Sequence, residues 1–208
     1  LPEVEIIKMS IAKIVTNQTV TDVWTSNFKM RSQVELSDLK KLVGKRVLKV
    51  FRRAKYLVME FDDSWLLTHF GMSGRLIKAS KFNDAVGVRN NLKHIHFSIS
   101  FGSLKFYLQD YRRFGGLSLF QKKNKDSKFD DHNFLTLGIE PLSEIFSSEY
   151  LYKITRPINR SIKNFLMDGR YISGLGNIYV TEALFRSGVH PMTISSKIGR
   201  IRCSRLCF

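Results

Sequence analysis

The sequence predicts an α+β protein in which an N-terminal helix and an antiparallel β-sandwich precede a helical domain. Three observations support this prediction. Apolar residues recur at helical spacing near the start, alternate with period two through the middle, and return to helical spacing in the last third of the 208 residues. Segments of different period that follow one another along a chain indicate separate layers or domains.

The first helix is predicted from Pro2 to about Asn17. Apolar residues recur there every three or four positions, and a proline followed by carboxylates is typical of a helix start. Because such residues share one face, we expect the helix to pack by that face. The stripe comprises Val4, Ile7, Ile11 and Ile14.

An antiparallel sheet, closed as a sandwich or a barrel, is predicted over roughly residues 18 to 120. Alternation on both sides of 62–64 predicts one hairpin, and alternation on both sides of Gly102-Ser103 predicts another. The alternating residues are Leu57, Met59, Phe61, Trp65, Leu67 and His69 in the first hairpin, and Ile95, Phe97, Ile99, Phe101, Leu104, Phe106 and Leu108 in the second.

A polar and charged stretch, Gln121 to Asp131, predicts a linker. We place the sandwich domain at residues 1–125 and the helical domain at 126–208. The helical segments are marked by Ser148-Glu149-Tyr150, by Ile162, Phe165 and Leu166, by Ile178, Glu182 and Phe185, and by a basic helix from Ser195 to Phe208.

The charge balance favours a polyanionic partner. The chain has 34 Lys and Arg against 18 Asp and Glu, a net charge of +16, and a pI near 10.0. Nucleic acid and an anionic membrane surface both suit this charge, and a basic protein without such a partner is the plain alternative. No apolar run approaches the roughly 20 residues that span a bilayer, and the start lacks a signal-peptide pattern. We therefore expect an intracellular protein without a membrane span.

Metal binding is not predicted for this chain. Cys203 and Cys207 are the only cysteines, and two thiols cannot complete a tetrahedral zinc site, so we expect half-buried helix residues. His94 and His96 alternate at a strand start, which predicts that they point the same way and contact phosphate. A third metal ligand with suitable spacing is missing beside them.

Lys55 is the first candidate for chemistry. It follows two arginines at the entry to a strand, and neighbouring like charges lower the pKa of a lysine, which makes proton transfer feasible. The alternative is a solvated lysine that contacts phosphate.

Two glycine-flanked segments are typical of proteins that open a DNA duplex. Met72, between Gly71 and Ser73-Gly74, can act as a wedge between base steps, although methionine more often fills a gap in a core. Arg112-Arg113-Phe114 combines two guanidiniums with a ring that can replace lost stacking. A surface cation–π pair is the alternative for this segment.

A second phosphate-binding region is predicted in the helical domain. Gly174-Leu175-Gly176-Asn177 leads into a helix, whose N–H groups and Asn amide can hold a phosphate. Arg156, Arg160 and Lys163 precede it and can supply further contacts.

Taken in order, these motifs resemble the family of formamidopyrimidine-DNA glycosylase and endonuclease VIII over nearly the whole chain. Ala54-Lys55-Tyr56 and Arg112-Arg113-Phe114 are closer to the formamidopyrimidine-DNA glycosylase branch. The matching motifs are Leu1-Pro2-Glu3-Val4-Glu5, Arg53-Ala54-Lys55-Tyr56, His69-Phe70-Gly71-Met72-Ser73-Gly74, Asp110 to Gly115, Leu137-Gly138-Ile139-Glu140-Pro141-Leu142, and Leu166-Met167-Asp168 through Gly188-Val189-His190-Pro191.

The resemblance implies a catalytic sandwich domain, a helix-two-turn-helix domain and a DNA groove between them. It also implies roles. A family lysine that contacts DNA falls on Asn159, which suggests that Arg160 takes over its contact. The implied catalytic residues are Lys55 and Glu3, and the implied DNA-binding residues are Met72, His94, Arg112, Arg113, Phe114, Arg160, Lys163 and Asn177.

The resemblance further implies residues on both sides of this chain. Family members begin Pro-Glu-Leu-Pro-Glu and use the first proline as nucleophile, and both that proline and its glutamate are absent from this sequence. Pro2 cannot replace the proline, because its nitrogen is in an amide bond with Leu1. The family's four-cysteine zinc finger is expected beyond Phe208, so zinc belongs to the full-length form and no cofactor to this chain. A fragment of a working enzyme and a truncated remnant both fit.

The implied function is base-excision repair. We expect a DNA glycosylase with abasic-site lyase activity that removes 8-oxoguanine and formamidopyrimidines and nicks the strand by β,δ-elimination. Its partner is double-stranded DNA with oxidised bases, and it acts as a nucleoid-associated monomer without membrane contact. A non-catalytic binder of damaged DNA is the alternative. A basic RNA-binding protein fits less well, because the wedge residues suit a duplex.

Overall fold

The structure is a computed structural model that describes residues 2–79, 92–124, 126–129 and 136–207. It divides into two compact units, Pro2–His132 and Asn133–Phe208. The division lies C-terminal to the boundary at 125/126 that the sequence predicts. Within the described parts of the chain, no helix is both long enough and apolar enough to cross a membrane.

The first unit combines an N-terminal helix with two antiparallel sheets. The elements are α1 (Pro2–Val15), β1 (Asp22–Thr25), α2 (Leu36–Lys40), β2 (Lys49–Arg53), β3 (Tyr56–Glu60), β4 (Ser64–His69), β5 (Arg75–Ala79), a 3₁₀ turn (Leu92–His94), β6 (Ile95–Phe101), β7 (Leu104–Gln109) and β8 (Gly116–Gln121). One sheet has the order β1-β6-β7-β5 and the other the order β2-β3-β4-β8. Because the two sheets are separate, the domain is a sandwich and not a barrel.

One hydrophobic core joins α1 to both sheets. The helix contributes Val4, Ile11 and Val15, which confirms the face that the spacing predicts. Both predicted hairpins form, β3 with β4 and β6 with β7. Core residues from the sheets include Val23, Phe97, Ile99, Phe106 and Leu108 on one side and Val50, Leu57, Met59, Leu66 and Leu117 on the other.

Residues of the predicted linker, Gln121 to Asp131, belong to the sandwich domain. The first of them, Gln121, closes β8, and Phe129 packs edge-on against Phe51 and Trp65 at ring centroid distances of 5.5 and 5.6 Å. An aromatic ring on this face of the sheet helps to explain why Trp65 is fully buried although it faces away from the core.

The second unit is helical. Its elements are α3 (Ser148–Thr155), α4 (Ile162–Leu166), α5 (Asn177–Arg186), a 3₁₀ turn (Ser195–Lys197) and α6 (Arg200–Leu206). Ser147 caps α3 by accepting the N–H of Tyr150. The helix α5 packs through Val180 and Leu184. The core residues are Leu151, Ile162, Phe165, Leu166, Ile172, Val180, Leu184, Val189, Ile198 and Cys203.

The prediction of one continuous basic helix from Ser195 to Phe208 is wrong. The 3₁₀ turn ends at Lys197, Ile198 and Gly199 are not helical, and α6 begins at Arg200. Arg156 explains this break. Its guanidinium donates to the carbonyls of Ser195 and Ile198, at 3.2 and 2.5 Å, and to that of Ser196. The Ser195 carbonyl also accepts the N–H of Ile198 within the 3₁₀ turn, so the guanidinium holds the end of that turn. Arg156 thus has a structural role, and its phosphate contact stays a prediction.

Candidate functional site

Strand pairing brings three segments to one end of the β2-β3-β4-β8 sheet. Arg53 pairs with Tyr56 across the turn that carries Lys55, and Tyr56 pairs with His69. His69 in turn pairs with Gly116. Neighbouring strands lie about 4.8 Å apart, so the turn at Lys55 and the loops 70–74 and 110–115 are neighbours.

The turn that carries Lys55 is held from both sides. Ala54 is buried and has a φ of 52°, a left-handed conformation that is uncommon for a residue with a side chain. Arg52 donates from Nε to Glu5 at 2.7 Å and from Nη1 to the Ala54 carbonyl at 3.0 Å. This arginine ties the first turns of α1 to the lysine.

Lys55 has the electrostatics of a proton-transfer group. Partial burial lowers the pKa of its ammonium, while attraction to Glu3 acts in the opposite direction. The predicted lowering of the Lys55 pKa is confirmed. The predicted cause is wrong, because desolvation and not the neighbouring arginines lowers the pKa. The pKa of Glu3 lies below its usual value, first because its own backbone N–H donates to the carboxylate, with a smaller contribution from Lys55.

An open groove of about 860 Å³ contains Lys55 and the wedge candidates. Met72 is 73% exposed and Phe114 is 45% exposed. The Arg112 guanidinium lies 4.6 Å from the centre of the Phe114 ring, so the surface cation–π pair is present as well. The groove is lined by Lys29, Met30, Arg31, Lys55, His69, Gly71, Met72, Arg112, Arg113 and Phe114.

His69 is a groove residue that the sequence reasoning did not single out. Its Nδ1 accepts the N–H of Gly71 at 3.0 Å, so in the neutral ring the proton is on Nε2. Burial lowers its pKa, and Arg31 and Lys55 lower it further. His69 is thus a neutral hydrogen-bond donor near pH 7. The signal was available, since it begins the motif His69-Phe70-Gly71-Met72-Ser73-Gly74.

The two predicted phosphate-binding histidines have different environments. His94 ends the 3₁₀ turn and stacks on Tyr111 at 4.4 Å, outside the lining of the groove. His96 is 1% exposed, so the prediction that it points with His94 toward phosphate is wrong. Its Nε2 donates to the Asp110 carbonyl at 2.9 Å and its Nδ1 accepts from Ser26 at 3.1 Å. A bulge at this position separates the pairing of Ile95 from that of Phe97.

Acid is expected to destabilise the first unit through His96. Burial lowers its pKa, so the stability of the neutral ring is fully present above pH 6.5, the ordinary value, and is lost as the pH falls through the lower folded value. His96→Gln retains a donor but cannot be protonated. Urea unfolding at several pH values should therefore show a shallower loss of stability below pH 6.5 in the variant. Equal slopes in the two proteins would contradict this role.

The second unit places its three predicted DNA-binding residues differently. Asn177 is exposed as the first residue of α5, after Gly174 with a φ of 84°. Lys163 lies half-buried on α4. Arg160 donates to Asp168 at 2.8 Å and lies over the rings of Phe165 and Tyr171. Its packing is structural, and its phosphate contact stays a prediction.

Cys203 and Cys207 lie on or beside the last helix of the second unit. Within the described ranges, no group of three or more His, Cys, Asp or Glu side chains could hold a metal ion. Cys203 is buried in α6, and burial raises the pKa of Cys207 to about 11. These thiols pack as apolar residues with the core of the second unit.

Comparison with known proteins gives matches over both units. The family model described as "Formamidopyrimidine-DNA glycosylase N-terminal domain" matches residues 1–117, and that described as "Formamidopyrimidine-DNA glycosylase H2TH domain" matches 137–208. A formamidopyrimidine-DNA glycosylase of Aromatoleum aromaticum is 39% identical over 207 residues, which is 99% of this chain and 72% of that protein.

Solved structures give the same result. The complex between Lactococcus lactis Fpg and abasic-site DNA superposes with a TM-score of 0.85 at 28% identity, over 100% of this chain and 73% of that one. MutM in complex with DNA containing carbocyclic 8-oxo-G gives 0.86 at 28% identity, over 100% and 74%. The fold and the groove thus define a DNA glycosylase of base-excision repair. Within that class, the chain belongs to the formamidopyrimidine-DNA glycosylase family.

Proposed function

We propose that this protein excises oxidised purines, 8-oxoguanine and formamidopyrimidines, from duplex DNA and nicks the strand at the abasic site. The observation that carries the proposal is the groove that brings Lys55 together with Met72, Arg112 and Phe114. The related MutM structure contains 8-oxo-G DNA, which supports the substrate class. The net charge of +16 suits a duplex, and we propose that the protein acts as a monomer.

The wedge residues would keep the duplex open after the damaged base leaves the stack. The Phe114 ring offers a flat face to the remaining base pair, and the flexible Met72 side chain can fill the vacated space. Arg112 carries donors that match the acceptor edge of an orphaned base. All three side chains are exposed, so they can reach DNA without unfolding a core.

Lys55 would act on the abasic product. Its lowered pKa raises the fraction of neutral amine, which can take a proton during elimination, and Glu3 lies close enough to interact with it electrostatically. His69 donates from Nε2 and is suited to hold a phosphate oxygen beside the reacting sugar. In strand cleavage, Lys55 would thus accept the proton and His69 would hold the DNA backbone in place.

The test is a nicking assay with borohydride trapping, using the protein as its source cell makes it. A duplex with 8-oxoguanine opposite cytosine should be nicked, and borohydride should trap a covalent imine adduct, whereas an undamaged duplex should give neither. Binding of the lesion duplex without adduct or nick would overturn the proposal in favour of a non-catalytic damage binder. Equal affinity for single-stranded RNA would favour an RNA-binding protein.

Phe114→Ala is expected to weaken base extrusion by about tenfold, since an aromatic contact contributes about 1–3 kcal/mol per stacked base. Fluorescence of 2-aminopurine beside the lesion reports extrusion without any bond cleavage. The matched control is Phe185→Ala, because Phe185 is 81% exposed in the second unit. An equal effect of the two substitutions, or an equal loss of affinity for undamaged duplex, would contradict a wedge role for Phe114.

A further inference from the structure

The Asp110 carboxylate connects the two loops that carry the wedge residues. Asp110 is fully buried. Its Oδ1 accepts the hydroxyl of Ser73 at 2.5 Å and the N–H of Arg112 at 3.2 Å, and its Oδ2 accepts the N–H of Gly115 at 2.7 Å. One side chain thus holds the residue after Met72 and the residues on both sides of the Arg113-Phe114 pair.

The backbone of Asp110 is fixed as firmly as its side chain. Its N–H donates to the His94 carbonyl at 2.9 Å, and its own carbonyl accepts from His96 Nε2 at 2.9 Å. Burial by itself raises the pKa of the carboxyl, but the hydrogen bonds from Ser73, Gly115 and Arg112 outweigh burial and hold the pKa below its usual range. The carboxylate is therefore charged at neutral pH.

The two loops also touch directly. A Cβ on Gly71 would lie 2.5 Å from the Gly115 nitrogen, and one on Gly115 would lie 2.6 Å from the His69 carbonyl oxygen. Only glycine permits this approach. Arg113 adopts a left-handed φ of 57°, a conformation that needs support from its surroundings. The hydrogen bonds to Asp110 on both sides of Arg113 supply that support.

We propose that Asp110 is a positioning residue that couples the loops 70–74 and 110–115, so that Met72, Arg112 and Phe114 enter DNA as one unit. The charge matters because a carboxylate accepts on both oxygens. An asparagine has one acceptor, so its NH₂ group would face the backbone N–H of either Arg112 or Gly115, whereas the Ser73 hydroxyl can accept as well as donate. Asp110→Asn therefore releases at least one loop without a large change in volume.

Hydrogen exchange in the free protein tests the coupling without DNA. Asp110→Asn should raise amide exchange in both loops by about tenfold, since hydrogen bonds to a charged group are among the stronger ones. Ser73→Ala should raise it chiefly in the loop 70–74. Asp38→Asn, at an exposed carboxylate on α2, is the matched control and should change neither loop. Unchanged protection, or a change in only one loop of Asp110→Asn, would overturn the coupling.

A second measurement rests on the proposed function and tests joint insertion. With 2-aminopurine beside a lesion, Met72→Ala and Phe114→Ala should be non-additive in the native background and additive in the Asp110→Asn background. Extrusion should be about tenfold slower in Asp110→Asn, and affinity for undamaged duplex should change less than twofold. Additive effects in the native background would overturn joint insertion. An absent lesion signal in the unmodified protein would instead count against the proposed function, and the exchange result would still decide the coupling.

Discussion

Lys55→Ala is expected to lower the rate of lesion-dependent nicking by about 100-fold or more, the usual size of a lost proton-transfer group. Affinity for undamaged duplex should fall by only about twofold to fivefold, since the substitution removes one of many cationic contacts. The physical reason is the environment of the lysine, which is half-buried, has a lowered pKa and lines the groove. Single-turnover nicking at saturating enzyme separates the rate from the affinity.

The matched control is Lys41→Ala, because Lys41 is an exposed lysine paired with Asp38 on the surface of the same unit. It should keep full nicking activity. If Lys55→Ala reduced affinity and nicking by the same factor, Lys55 would be a phosphate contact. That result would support the alternative given in the sequence analysis, a solvated lysine that contacts phosphate.

Arg156→Ala is expected to destabilise the second unit by about 3 kcal/mol. The substitution removes a guanidinium that donates to the carbonyls of Ser195, Ser196 and Ile198, and a half-buried carbonyl left without a donor costs about 1–3 kcal/mol. It also removes stacking on Tyr152, whose ring centre lies 4.1 Å away. Hydrogen exchange across α3 and α6 should increase by about two orders of magnitude at neutral pH.

The two units provide an internal reference for this experiment. Both tryptophans, Trp24 and Trp65, lie in the first unit, so tryptophan fluorescence follows that unit. Arg186→Ala is the matched control, since Arg186 is 77% exposed and forms a surface ion pair with Glu182 within α5. Its effect should stay within about 0.5 kcal/mol. Equal effects of the two arginine substitutions would show that Arg156 does not organise the break before α6.

The fold was predictable wherever local spacing alone determines the structure. The stripe in α1 and the two alternating hairpins follow from periodicity, and the start of α3 at Ser148 follows from the segment Ser148-Glu149-Tyr150. Local periodicity does not indicate which residues far apart in the sequence contact one another. Phe129 packs on Trp65 from a stretch that is polar in composition, because a single ring suffices to cover another.

The candidate site shows the same limit. Motif order indicated Lys55, Met72 and the segment 112–114, and the structure brings them into one groove. The prediction for His96 was wrong because it rested on residue type alone. His96 has the chemistry to contact phosphate, but it is buried and donates to a main-chain carbonyl. Arg156 also donates to main-chain carbonyls, and only tertiary contacts reveal such partners. His69 was not predicted as a site residue, because the alternation of the first hairpin already accounted for its presence as a strand residue.

The register of β3 and β4 has a consequence for how the chain length can vary. Between Lys55 and His69 the chain runs out to the turn at 62–63 and back along two paired strands. Residues added in pairs at that turn would lengthen the hairpin at its far end and leave the groove intact. One residue inserted within β4 would reverse the faces of every residue after it and turn His69 away from the groove. Changes of chain length that preserve the groove are therefore expected in pairs at the far end of the hairpin, where they leave the pairing of Tyr56 with His69 unchanged.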